Sequence, residues 1–212
     1  MRDAMLSVFA KLSLILTLLF AISVGLIRAQ RYDDTPLRSL LFHQRCPAIC
    51  WQGIRPGVTT RAQALQILED SGWVEAIRIS ENVIGADVDS ITWSWNGRQP
   101  NYIDMLGDGR LVSDNGIVQS LALRTRLPFA DVRLLLNAPD DGATVSGLVV
   151  PPVEHRVDYH EMGIRIRIQL QCPFTPLDFW SAPITIELAP PFVSEFPHYR
   201  LPGWLGESIC TR

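Results

Sequence analysis

The sequence predicts an α+β fold: two tandem helix-plus-antiparallel-sheet repeats after an N-terminal membrane helix. Three observations carry this reading. An uncharged apolar run occupies residues 12–27. Ile164, Ile166, Ile168 and Leu170 alternate strictly with Arg165, Arg167, Gln169 and Gln171, the period of a strand with one buried face. A short amphipathic helix followed by several strand patterns occurs twice, offset by 68 residues when Leu68 is laid on Leu136.

The run 12–27 holds sixteen uncharged residues and follows Arg2 and Lys11. A secretory apolar core is usually shorter. A spanning helix needs about 20 residues, a length reached when counting starts at Met5 and Lys11 snorkels. Residues 1–29 therefore read as a signal anchor or a signal peptide. The retained anchor is placed ahead because Ile27 stands three residues before a cut after Ala29, where small side chains are preferred. Arg28 and Arg31, directly after the run, count against an N-in anchor. No lipoprotein-type Cys follows. Both readings put the remaining chain outside the cytoplasm, single-pass at the cell membrane or secreted, with membrane contact through the N-terminal helix.

The whole chain carries 19 basic and 22 acidic residues; Arg2, Lys11 and Arg28 against Asp3 fall in residues 1–29, leaving 16 against 21. The exported part is acidic, has no Lys and shows no basic stripe, so a nucleic-acid partner is not expected.

Residues 30–45 read as a juxtamembrane spacer with one short helix. Thr35 is its cap, Pro36 suits the first helical position, and Leu37, Leu40 and Leu41 share a face that packs on the domain. Residues 46–125 form the first α+β unit. Thr60 and Gln63 have capping-box spacing, Ala64, Leu65 and Leu68 make an apolar stripe with Ile67 at its edge, and Gly72 closes the helix. "AIRIS" and "ITWSW" are strands, the second with Ile91, Trp93 and Trp95 on one face. Residues 104–116 read as turns, and "GIVQSLALR" as a strand. Residues 126–189 form the second unit. Its helix carries Phe129, Val132, Leu135 and Leu136 and ends at Asn137 and Pro139. The strands "VEHRVDY", "GIRIRIQLQ" and "PITIELAP" follow. Residues 190–212 are a Pro- and aromatic-rich tail.

All four cysteines, Cys46, Cys50, Cys172 and Cys210, lie in the exported part. Disulfides, a metal site and a redox pair are all open to them. The compartment and the even count favour disulfides; four cysteines allow three connectivities among which the sequence does not choose, and Cys46 with Cys50 and Cys172 with Cys210 is the one taken forward. Zinc is disfavoured because Cys172 and Cys210 are no close pair, and redox chemistry because three residues separate Cys46 from Cys50. Trp51 reads as an apolar plug. "HRVDYHE" resembles a metal cluster, but positions five apart on a strand face opposite ways. His155 then shares a face with Val157 and Tyr159, while His160 sits at a turn. His43 and His198 have no patterned neighbours. No catalytic or phosphate-binding motif is present, and no catalytic residue, cofactor or metal ligand is assigned. The candidate binding surface is Phe192, Phe196, Tyr199 and Trp204 in the tail. These rings either cover the sheet edge or form an arm for a partner.

Each half resembles the small envelope repeats of the BamE (SmpA/OmlA) and beta-lactamase-inhibitor-protein type, in which a "G-x-T…V…LLG-x-P" helix precedes a small antiparallel sheet. The matching residues are Gly57, Thr59, Ala64, Leu68 and Gly72, then Asp131, Val132, Leu135, Leu136, Asn137 and Pro139. The lipoprotein Cys of BamE has no counterpart here. The expected function is a non-catalytic, membrane-associated extracytoplasmic interaction module with a protein partner. Two alternatives stand: an envelope small-ligand-binding domain using the face of Trp93 and Trp95, or an enzyme whose site gathers His155 or His198 with a distant Asp.

Overall fold

A computed structural model describes residues 2–29, 33–42, 46, 49–81, 88–146, 153–193, 199 and 210. It divides into two compact units, Met1–Asp33 and Asp34–Arg212. The first unit is one helix, α1 (Arg2–Ala29). Leu12, Leu16, Leu19, Phe20 and Leu26 are all exposed on it. Among the described residues no helix is long and apolar enough to cross a membrane, which corrects the expected membrane helix. Lys11 interrupts the apolar face, and the sixteen residues after it rise about 24 Å, short of a hydrocarbon core of about 30 Å.

In the second unit, α2 (Thr35–Leu41) and α3 (Arg61–Asp70) precede a four-strand meander. Its strands are β1 (Val74–Glu81), β2 (Val88–Trp95), β3 (Gly109–Asp114) and β4 (Ile117–Pro128). Helix α4 (Phe129–Leu136) leads to β5 (Asp141–Ser146), β6 (Val153–Tyr159) and β7 (Ile164–Leu170). Helix α5 (Pro176–Ser181) and β8 (Pro183–Leu188) end the set.

The strands form one eight-stranded antiparallel sheet in the order β1-β2-β3-β4-β8-β7-β6-β5. This overturns the expected pair of tandem helix-plus-sheet repeats. β4 and β8 would each be an open edge of its own meander. Instead they pair, with Leu121 opposite Leu188 and Leu123 opposite Ile186, and both rows of backbone groups are satisfied. The halves also differ in construction: α5 stands between β7 and β8, whereas Asn115 and Gly116, both at positive φ, close β3–β4 as a tight hairpin.

One face of the sheet is apolar and carries the helices. Ile91, Trp93, Leu121, Leu123, Ile166, Ile168, Ile184 and Ile186 are buried there in a single cluster. α2 adds Leu37, Leu40 and Leu41, and α3 adds Ala64 and Leu68 beneath the expected Thr60–Gln63 capping box. Trp51 is a plug: it stacks on Trp93 at 5.9 Å and meets Trp95 edge-on at 6.1 Å. β3 was read as turns because Leu111 is its one large buried side chain. Gly109 is required there, since a Cβ would lie 2.1 Å from the Trp93 ring. The opposite face is polar. Asp158, fully buried, accepts from Arg156 at 2.9 Å and Arg165 at 3.0 Å, and Glu187 accepts from Arg167 at 3.1 Å.

This register makes a testable contrast on one strand. Ile168 is 1% exposed and faces the core, while Arg167 lies on the polar face. Ile168→Asp is expected to cost about 3 kcal/mol or more, and Arg167→Ser less than about 1 kcal/mol. Thermal melts of both variants check this; equal shifts would contradict the register.

Candidate functional site

Cys46 pairs with Cys50 at a Cα separation of 6.2 Å, and Cys172 with Cys210 at 5.6 Å. No cysteine is free, so thiolate chemistry and cysteine metal ligation have no ligands here. Both bonds are fastenings. The first fixes the chain directly before buried Trp51, and the second ties the end of the chain to the segment after β7.

His155 and His160 lie on opposite sides of the sheet. His155 is buried with Val157 and Tyr159. Its Nδ1 is 2.8 Å from the Thr144 hydroxyl and its Nε2 3.4 Å from the Tyr199 hydroxyl. Burial, with some repulsion from Arg133, pulls the His155 pKa down to about 4. His160, at the β6–β7 turn, places Nε2 2.8 Å from Asp141 and donates its backbone N–H to Asp140 at 2.7 Å. His43 and His198 lie outside the described residues.

Among the described residues, one group has metal-ligand geometry: Asp141, Asp158 and His160, with ligand atoms within 4.8 Å of one another. Two guanidinium groups already neutralise Asp158. A cation would have to displace both, so the group reads as an ion-pair network that locks β5, β6 and β7. The sequence offered no view of it because it depends on the register that sets Asp141 opposite Asp158.

Of the four tail aromatics, Phe192 and Tyr199 are described, and they lie on opposite sides of the sheet. Phe192 lies over the Arg165 guanidinium at 5.0 Å and beside His160 at 5.2 Å, on the polar face. Tyr199 packs near His155 and Arg133, on the other side. It crosses β5 at Gly142, where a Cβ would lie 2.9 Å from its ring. Phe196 and Trp204 lie outside the described residues. Trp93 and Trp95 are 0% and 5% exposed, so their face is core and not a ligand platform.

A groove that the sequence did not signal opens between the loop 55–58 and the β6–β7 turn. Its volume is 710 Å³, within the usual range of ligand pockets of about 300–1,000 Å³. Phe42 and Cys46, the loop 55–58, Met162 of the β6–β7 turn and residues 189–191 after β8 line it. These segments are far apart in the chain and are locked together. Gly57, at φ +77, donates to the Val118 carbonyl at 2.7 Å, and a Cβ on it would stand 3.1 Å from Pro190. Ala189 donates to Gly163 at 2.8 Å, and a Cβ on Gly163 would meet the Ala189 oxygen at 2.0 Å. Phe42 and Val58 stand exposed at 47% and 57%. Among the described residues, Arg55 and Glu161 are its ionisable lining groups, since Cys46 is bonded. The two left-handed loop glycines were the available sequence signal, but their partners were not.

Compared with family profiles, with characterised proteins and with solved structures, the chain matches none. Function is therefore argued from geometry.

The buried histidine sets a pH dependence. Its pKa is about 4 in the folded chain against 6.5 when solvated. The unfolded chain binds the proton first, so the stabilising contribution is complete above pH 6.5 and is lost as pH falls toward 4. The loss is on the order of 3 kcal/mol. Urea denaturation at stepped pH should show that loss, and His155→Gln should remove most of it. An unchanged slope in the variant would contradict the assignment.

Proposed function

We propose that this chain is a non-catalytic, extracytoplasmic binding module whose recognition surface is the groove between the loop 55–58 and the β6–β7 turn. The observation that carries the reading is the groove itself: apolar, rimmed by exposed Phe42 and Val58, and held by locked loops from both halves of the sheet. Preformed concave apolar surfaces are the usual sites of recognition because little ordering entropy remains to be lost.

Two paired disulfides support an oxidising compartment. The exposed apolar side chains of α1 support delivery to, or association with, a membrane. The sheet's polar face alternates Arg165 and Arg167 with Asp158 and Glu187, which gives a polyanion no uniform positive field. Phe192 and Tyr199 act as packing groups in this reading.

A photo-cross-linking side chain in place of Val58 should yield a discrete adduct in cells. The same side chain in place of Leu177, exposed on α5, should yield none. Adducts from position 177 with none from 58 would contradict the groove as the recognition surface.

A further inference from the structure

We infer that the groove binds an anionic amphiphile: one hydrocarbon chain laid along the apolar wall, with its carboxylate or phosphate held by Arg55. The inference rests on the binding-module reading and names its ligand class.

Among the described residues, the loop 55–58 and residues 189–191 have little backbone to offer a peptide. The N–H of Gly57 is taken by Val118, that of Val58 by Arg55, that of Gly163 by His160 and that of Ala189 by Gly163. Pro56, Pro190 and Pro191 have no N–H. An extended peptide would bury its own amides and carbonyls against a wall with few partners, a costly arrangement. A hydrocarbon chain makes no such demand. Phe42, Ile49, Val58 and Met162 supply apolar contact, and the unbranched thioether of Met162 adapts to a flexible chain.

The polar end is specified by charge. Arg55 is half-buried beside the groove, and among the described residues its guanidinium has no ion-pair partner. The backbone that carries it is fixed. Its N–H donates to the Thr59 hydroxyl at 2.8 Å, and its carbonyl accepts from Val58 at 3.2 Å and Thr59 at 2.9 Å. A guanidinium carried on this fixed backbone favours a planar or phosphate anion. Glu161, on the β6–β7 turn, also lines the groove. It disfavours a second negative charge, so a singly charged head fits better than a doubly charged one.

The test uses the full chain and a dansyl-labelled undecanoic acid, read by fluorescence. Competitors are palmitate, a lysophospholipid with a single phosphodiester and hexadecanol. Binding should be saturable, with the two anions competing better than the alcohol; the better of the two identifies a free acid or a lipid headgroup as the source. Arg55→Gln should weaken the anions about tenfold and leave hexadecanol unchanged, while Arg55→Lys should keep part of the difference. Glu161→Gln should leave binding equal or tighter. Val58→Glu should abolish it, which separates groove binding from adsorption on α1. Equal affinity for acid and alcohol, or indifference to Arg55→Gln in a variant that melts normally, overturns the headgroup assignment. Binding that survives Val58→Glu overturns the site. Absence of probe binding while the Val58 cross-link persists overturns the amphiphile and leaves the binding module standing. Loss of both overturns both.

Discussion

The pairing of β4 with β8 is the constraint on which the rest of the second unit depends. Each half of the chain builds four consecutive strands, and each meander alone would leave its last strand with unpaired backbone groups. Setting Leu123 opposite Ile186 and Leu121 opposite Leu188 removes both edges and makes one apolar face continuous from β2 to β6. Hydrophobic burial then rewards the join, because Leu121, Leu123, Ile186 and Leu188 are all within 2% of full burial. The same join delivers residues 189–191 to Gly57 and Gly163. The groove is thus a product of sheet topology more than of any local motif.

Around that join, two aromatic groups and one ionic network keep the layers in place. Trp51, Trp73, Trp93 and Trp95 interlock at the first half. Phe129, Phe179 and Trp180 interlock around His155 at the second. The Cys46–Cys50 bond stands directly before Trp51 in the chain. On the polar face, Asp158 and Glu187 neutralise arginines that the strand register sets directly opposite each other, Arg156 and Arg167. A one-residue slip would turn these charges toward the apolar face, so the network helps specify the pairing as well as stabilise it.

Local chemistry was legible in the sequence wherever one residue type has one strong structural use. The capping box at Thr60, the Ile164–Leu170 alternation, the plug role of Trp51 and the disulfide state of the cysteines could be read without coordinates, whereas their connectivity came from the fold. Strand β3 was not, because its inward positions include Gly109 and Ser113, which carry no hydrophobic signal. Strand β5 has no signal for a similar reason: the inward positions of "DGATVS" include Gly142 and Thr144, and Gly142 is there to admit Tyr199. The two-repeat reading failed at the level of pairing. Sequence order shows which strands are neighbours in the chain, but it does not show that two chain-distant edges will find each other. The tail aromatics were grouped by proximity in sequence, whereas Phe192 and Tyr199 sit on opposite sides of the sheet. The groove was invisible because its walls come from four separate segments.

Native-state hydrogen exchange resolved to single amides tests the continuous sheet most directly. The account predicts that the β4 and β8 amides around Leu123 and Ile186 exchange as slowly as those in β7, in a single cooperative opening shared by both halves. Fast, edge-like exchange at β4 and β8, with the two meanders opening at separate free energies, would contradict the join and with it the origin proposed for the groove.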